Sequence, residues 1–504
     1  MAETYASCIE QPVFRLFLGL SASLNYLIFG GDAQDAFAHS PGPTVQTFVA
    51  IDDAYSDWYF DKCGIRLARG LVLPVLRALQ GHPEAARLWE EHINIILNDP
   101  EFNFRSTTHE KNIYHATIDG VPVLLCRQVD DFAIATPDPE IARRIYARIG
   151  KKLQLPGETE PPFVDEGLVD SFNGVDILQT RDYIKLSCTT YIRRLLASHE
   201  WPTPSATESK PGSKPYEPFP ESDHHAVYTT KGFAEHTPEH AALAAEMKFS
   251  YRTLLGELLY AYITARPDIG YAIATLAKFS NAPAKIHYQR LKGVAKYLRN
   301  TIDWGIIYWR SEPNVTLPNV PLTLAEYDPQ LPPFPPSSSP FQLRGFVDAS
   351  HANDLRNRRS TTGYGFCIAA GVVAYRCHTQ TITATSSTEA EFLAAVEAAK
   401  IAKYLRSILR ELGFPQVGPT PIYEDNESTI KMVNAGKPTP RSRHIDIQHF
   451  AIQDWKQAGD LKLIHIPGII NPADCLTKPV AWVLHSRHAR RLMGHYGPDF
   501  PVSE

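Results

Sequence analysis

Eight acidic residues stand where phosphodiester chemistry could use them, two of them as alternatives for one place. In the last third of the chain, Asp348 follows the apolar run Leu343 to Val347 and Asp425 follows Pro421 to Tyr423. Asp474 comes after the run Lys462 to Ile466, and Glu389 and Glu391 open a helical pattern that extends from Ser387 to Leu412. Ends of neighbouring strands and one helix start can converge on a single spot. Four carboxylates there would repel one another unless they shared hard cations such as Mg²⁺. Two such ions roughly 4 Å apart are the apparatus of in-line displacement at phosphorus. Nearer the N-terminus, Asp32 in D-A-Q-D-A-F and the pair Asp130-Asp131 are about a hundred residues apart. A strand-end aspartate and a hairpin aspartate pair could hold the same two ions beside a 3′-hydroxyl and a triphosphate. Taken singly, each acid also fits a solvated strand end or a helix cap. The ordered set is what points to chemistry.

The elements that must position these acids are visible in the apolar patterning. Asn112 to Ile118 and Val121 to Cys126 flank Asp119-Gly120, a two-residue turn signal, and predict a β-hairpin that leads into Asp130-Asp131. Tyr26 to Phe29 predicts a short strand stopped by Gly30-Gly31, just before Asp32. Arg87 to Leu97 and Ile141 to Leu153 predict amphipathic helices, and Tyr251 to Leu298 is nearly all helical by periodicity. After residue 340 the order is a strand (Leu343 to Val347), a hairpin (Gly363 to Ala369 and Gly371 to Arg376), a long helix, a strand, a helix and a final strand. That order predicts a mixed α/β layout.

A chain of 504 residues predicts about three domains. Its 44% hydrophobic and 21% charged residues argue against wholesale disorder. The chain has forty prolines, and fifteen of them crowd two stretches, Pro202 to Pro220 and Pro313 to Pro340, which excludes helix or central strand there. The second is expected to be a linker. No apolar run reaches 18 residues, so no membrane span or membrane partner is expected. No basic region precedes the apolar patch Val13 to Leu20, so no signal peptide is expected. Seven cysteines without a C-x-x-C pair suggest neither a zinc ribbon nor a disulfide framework, and an intracellular setting is the default. The net charge of −5 gives no bulk sign of a nucleic-acid binder. The segment 341–480 is nonetheless net basic, with Arg356, Arg358 and Arg359 after Asp348, and Arg441, Arg443 and His444 before the last helix. These are the expected phosphate contacts.

Residues 345–480 resemble the RNase H domain of copia-type retrotransposon polyproteins. The words GFVDASHAND, RRSTTGYGF, ATSSTEAEFLAAVEAAK, IYEDNESTI, RSRHIDIQHF and NPADCLTKP carry the resemblance, in order. It places the metal-binding carboxylates on Asp348, Glu391, Asp425 and Asp474, with Glu389 as the competitor for Glu391. Phe392-Leu393-Ala394-Ala395 directly after Glu391 favours that choice. Related domains carry a histidine after the last strand; here Gly468-Ile469-Ile470 follows Pro467, and His465 receives no role. The N-terminal part resembles the reverse transcriptase of the same polyproteins. Asp32 to Phe37 matches D-x-x-x-A-F, Val129-Asp130-Asp131 matches Y-V-D-D, Leu79 to Trp89 matches the family word between them, and Phe172 to Val175 matches F-L-G-I.

The resemblance implies a reverse transcriptase palm (1–190, fingers truncated), a helical thumb or connection (191–310), a Pro-rich linker (311–340), an RNase H-like α/β domain with a mixed sheet (341–480) and a tail (481–504). It implies RNA-directed DNA synthesis by Asp32, Asp130 and Asp131, with Phe37 and Gln80 at the nucleotide, and cleavage of RNA by the other four acids. Mg²⁺ is the implied cofactor. RNA template, RNA–DNA hybrid, DNA primer and dNTPs are the implied partners. Two departures bear on polymerisation. Gln128 replaces the family's tyrosine, and only about 31 residues precede Asp32, fewer than the family's basic fingers need. The sequence thus has the look of a polyprotein fragment. The alternative is a polymerase-defective remnant that retains the RNase H fold.

Overall fold

The computed structural model describes residues 8–203, 217–311, 339–435 and 446–495. The chain forms two compact units, one of residues 1–9 and 27–169, the other of residues 10–26 and 170–504. The stretch 313–338 and the residues Arg441, Arg443 and His444 lie outside the described residues, so the linker and one expected basic cluster have no structural account.

The first unit is built on a six-stranded sheet. Its order is Arg105–Ser106, Ile113–Ile118, Val121–Gln128, Asp131–Thr136, Leu27–Ala33, Phe163–Leu168. The predicted hairpin is present, with Ile118 opposite Val121. Asp119 (φ 52°) and Gly120 (φ 79°) both turn left-handed, the geometry that matches the twist of a two-residue hairpin. Helices Ala85–Leu97 and Pro139–Leu153 cover one face. Their buried residues recur at helical spacing (Trp89, Ile93, Ile96; Ile141, Ile145, Ile149) and meet Tyr114, Val123, Leu125, Phe132 and Ile134 in one core.

The strand expected to stop at Gly30-Gly31 continues through them to Ala33, so Asp32 lies inside a strand. A Cβ on Gly31 would come within 2.6 Å of Phe163 and 2.9 Å of Tyr146, and one on Gly30 within 2.9 Å of Glu166 and Val169. These glycines admit close neighbours; they do not make a turn.

The second unit contains an antiparallel sheet ordered Gly305–Trp309, Tyr183–Ser187, Val175–Gln179, Ser171–Phe172. Helices Tyr251–Thr264, Gly270–Ala277 and Lys285–Asn300 follow the periodicity read from sequence. The C-terminal sheet is five-stranded, ordered Gly371–Thr379, Thr361–Ile368, Arg344–Ser350, Thr420–Glu424, Leu461–His465. Its first two pairings are antiparallel and its last two parallel, so the sheet is mixed, as the strand–helix order led one to expect.

The domain boundaries differ from those expected. Strands within 171–187 pair with Gly305–Trp309 and so leave the N-terminal unit. Residues 481–495 are no tail: helix Trp482–Leu492 buries His485, His488, Ala489 and Leu492. Helix Gln11–Ser23 also belongs to this unit. Its Arg15 is buried, donates from Nε to the Val373 carbonyl (2.8 Å) and from Nη1 to those of Ile263 (2.7 Å) and Thr264 (3.0 Å). The guanidinium lies 4.4 Å from the Tyr375 ring centroid. The Trp309 amide and the Tyr308 hydroxyl reach the carbonyls of Ala369 and Val372, each at 2.9 Å. The C-terminal sheet thus shares its packing with residues 10–26 and 171–311, and a fragment beginning at 341 would expose that face to water.

Candidate functional site

Parallel pairing of Arg344–Ser350 with Thr420–Glu424 sets Phe346 beside Tyr423, so both chains run toward the same edge of the sheet. Asp348 lies there inside its strand, and Asp425 follows its strand directly. Helix Ser387–Glu411 begins at the same edge. Ser386 caps it by accepting from the Glu389 amide, and the Glu389 carboxylate accepts from the Thr385 amide (2.7 Å) and hydroxyl (2.6 Å). Glu389 is therefore committed to the cap. Glu391 joins Asp348 and Asp425, and one carboxylate oxygen from each lies within 4.8 Å of the others. Asp474 stands on the turn Pro472–Leu476. That turn is tied to the sheet by Asn471 Nδ2 donating to the Val347 carbonyl (2.9 Å) and by the Thr477 hydroxyl donating to Asp348 Oδ2.

One member of this cluster was missed in the sequence. Glu424 is fully buried, and its Oε1 accepts from the Asn426 amide at 3.0 Å. Strand alternation would send Glu424 and Asp425 to opposite faces, and only the Glu-Asp-Asn word at a strand end hinted otherwise. Among the described residues, Glu424 Oε2 and Glu391 Oε2 are both buried and without a hydrogen-bond partner. Buried carboxylate oxygens without a hydrogen-bond partner fit oxygen-seeking cations. His465 is exposed, beside Asp425 and Glu427. Gly468 passes so close to Asp425 that a Cβ would meet Oδ2 at 2.8 Å.

Burial, and then the neighbouring carboxylates, push Glu391 well above the ordinary carboxylate range. Glu424 is pushed up chiefly by burial. Asp425 is raised by burial and by Asp348, and the same two causes push Asp474 up to about 8. An acid whose folded pKa is raised binds more protons in the native state. Its contribution to stability is whole below about pH 4 and is lost as pH climbs toward 8. The protein in EDTA is therefore expected to melt at lower temperature at pH 8 than at pH 5. Added Mg²⁺ is expected to raise the melting temperature more at pH 8. Thermal scans at the two pH values check this, and an equal Mg²⁺ effect would contradict it.

The expected phosphate contacts are only partly free. Arg356 pairs with Asp354 (3.0 Å), donates to the Lys278 carbonyl (3.1 Å) and lies 4.8 Å from the Phe279 ring centroid, so it braces the fold. Arg358 and Arg359 are exposed.

In the N-terminal unit, antiparallel register sets Asp32 opposite Asp131, and the Ala33 amide donates to the Asp130 carbonyl at 3.0 Å. The three aspartates thus lie together. Among the described residues, however, only the Asp348–Glu391–Asp425 group closes to 4.8 Å. Burial and Asp130 raise Asp32; burial, Asp130, Asp32 and Glu166 push Asp131 up to about 6. Glu166, on the strand beside Asp32, had no sequence signal. Gln128 Oε1 accepts from the Ile9 amide at 3.1 Å. Phe37 is half-buried against Ala78, Ala85 and Leu88, and Gln80 is exposed.

The turn that presents Asp130 is strained. Val129 has φ 58°, left-handed for a β-branched residue. Its carbonyl accepts from Trp89 Nε1 (2.8 Å) and Arg127 Nη1 (2.9 Å), both side chains fully buried. Trp89→Phe is expected to cost about 1–2 kcal/mol by removing one of these donors. Urea unfolding measures it, and an unchanged midpoint would show that Arg127 alone holds the turn.

No protein-family model matches the chain. Over 484 residues (95% of this chain, 32% of the relative) it is 26% identical to the retrovirus-related Pol polyprotein from transposon TNT 1-94 of Nicotiana tabacum. Over 495 residues (97% and 29%) it is 24% identical to that from transposon RE1 of Arabidopsis thaliana. The chain thus spans about a third of the length of these curated relatives. Among solved structures, RNase H1 of Halobacterium salinarum is 19% identical and covers 27% of this chain and 94% of its own, with a TM-score of 0.20.

Proposed function

We propose that this chain, which is similar over nearly its whole length to retrovirus-related Pol polyproteins of plant transposons, is the reverse transcriptase and RNase H portion of a copia-type polyprotein. Its C-terminal site would cleave the RNA strand of an RNA–DNA hybrid. The observation that carries this reading is the meeting of Asp348, Glu391 and Asp425 within 4.8 Å, with orphaned oxygens on Glu391 and Glu424. Asp348, Glu391, Asp425 and Asp474 would hold Mg²⁺, which supplies charge neutralisation and an activated water at the scissile phosphate. The chain's own contribution is placement. The parallel strands aim Asp348 and Asp425, the Glu389 cap sets the helix turn that carries Glu391, and Thr477 fixes the Asp348 carboxylate. Exposed Arg358 and Arg359 would meet the phosphate backbone.

The turn carrying Asp130 and Asp131, opposite Asp32, is the corresponding centre for DNA synthesis from a primer, an RNA template and dNTPs. A second reading has polymerisation lost and RNase H retained. Gln128 in place of the family's tyrosine and the more open aspartate trio favour it for that half.

The test uses the whole chain with a hybrid labelled on its RNA strand. Mg²⁺-dependent cleavage of that strand is expected, with the free RNA and the DNA strand left intact. A protein that binds the hybrid and leaves the RNA whole would overturn the reading. Primer extension on poly-rA with the same preparation separates the two readings of the N-terminal unit.

A further inference from the structure

Five carboxylates crowd the C-terminal site, and one ammonium stands among them. Lys478 Nζ is 2.9 Å from Asp474 Oδ1 and 3.8 Å from Asp348 Oδ1. The preceding residue, Thr477, donates to the other oxygen of Asp348, so adjacent residues engage both oxygens of that carboxylate. The charge of Lys478 also acts on Glu391 and Asp425. The side chain is 38% exposed, while Asp348 and Asp474 are buried, so the lysine reaches in from solvent and has a way out. A lysine is a point charge on a flexible stem, with no fixed fork to lock it in place.

We propose that Lys478 is the resident counter-cation of this site, an ammonium that a divalent ion must displace from Asp348 and Asp474. The proposal rests on the reading that these carboxylates take divalent cations. A single positive charge cannot balance Asp348, Glu391, Glu424, Asp425 and Asp474. It can hold Asp348 and Asp474 near their working positions until stronger cations arrive. Loading would then be an exchange of cations in which Lys478 gives up Asp348 and Asp474 and swings toward solvent or the rim. Removing the ammonium removes a competitor for the ion and also a stabiliser of the metal-free fold.

The experiment titrates Mn²⁺ into the full chain by calorimetry and records melting in EDTA, for wild type, Lys478→Met, Lys478→Arg and Asp425→Asn. Lys478→Met is expected to bind Mn²⁺ roughly tenfold more tightly, since an adjacent like charge opposes a cation, and to melt at lower temperature in EDTA. Lys478→Arg keeps the charge and is expected near wild type on both counts. Unchanged or weaker Mn²⁺ binding by Lys478→Met would overturn the proposal, as would an equal gain in Lys478→Arg. If Lys478→Met folds only with Mn²⁺ present, that dependence is the expected exchange of one cation for another. A wild type that binds no Mn²⁺, or an Asp425→Asn variant that binds it as well as wild type, would instead overturn the metal reading of the cluster and this proposal with it.

Discussion

Asp425→Asn is expected to lower cleavage of the RNA strand of an RNA–DNA hybrid by roughly three decades, about 4 kcal/mol of transition-state stabilisation. Asparagine keeps the size of the side chain and removes its negative charge. Asp425 sits at a strand end within 4.8 Å of Asp348 and Glu391. On the proposed reading, loss of one anionic ligand would weaken the hold on ions that stabilise both the attacking and the leaving oxygen. Hybrid binding would rest on phosphate contacts made by basic side chains, so it is expected to change little. Stability in EDTA is expected to hold or rise, because the substitution relieves repulsion where burial and Asp348 already raise the Asp425 pKa. The measurements are single-turnover cleavage, hybrid affinity and melting temperature of the full chain. Cleavage at wild-type rate would remove Asp425 from the site. Loss of cleavage together with loss of folding would leave the charge argument without support.

Asp268→Asn is expected to cost about 3–5 kcal/mol of stability, because it leaves a buried guanidinium without its counter-charge. Arg266 and Asp268 are both fully buried, with Nη2 to Oδ2 at 2.6 Å and Nε to Oδ1 at 2.9 Å. Thr301 accepts from Arg266 through its carbonyl and hydroxyl, and the Tyr297 hydroxyl donates to Asp268 Oδ2 at 2.6 Å. His485, on the helix near the C-terminus, meets the Asp268 carbonyl at 2.9 Å. The pair therefore ties the turn after helix Tyr251–Thr264 to two sequence-remote helices. Burial opposes the Asp268 charge, yet Arg266 outweighs it and holds the carboxyl below its ordinary range. Urea unfolding monitored by tryptophan fluorescence measures the loss. A change below about 1 kcal/mol would mean that water reaches the pair on substitution and that the contact is not the clamp its burial suggests.

Many of the elements around the candidate site were legible before any tertiary information. The Asp119-Gly120 hairpin, the helices that carry Trp89 and Ile145, and the strand–helix order after residue 340 all follow from local periodicity and turn chemistry, which neighbouring residues settle among themselves. Asp348 and Asp425 stand out because each follows an apolar run that reads as a strand, while the choice of Glu391 over Glu389 comes from the family resemblance; parallel pairing brings the two strands to one edge. Tertiary structure alone decided the rest. Gly30 and Gly31 carry a strand because Phe163, Tyr146 and Glu166, more than a hundred residues away, press against them. Helix Gln11–Ser23 docks in the C-terminal unit because Arg15 finds carbonyls at residues 263, 264 and 373. Glu389 became a cap and Glu424 a buried acid because the space around each is set by the elements packed above it. Lys478 meets Asp348 because the 471–477 turn folds back on a strand some 130 residues earlier. Periodicity reports which side of an element is apolar, whereas the partner that covers that side, and the charge left facing it, exist only once remote segments have packed.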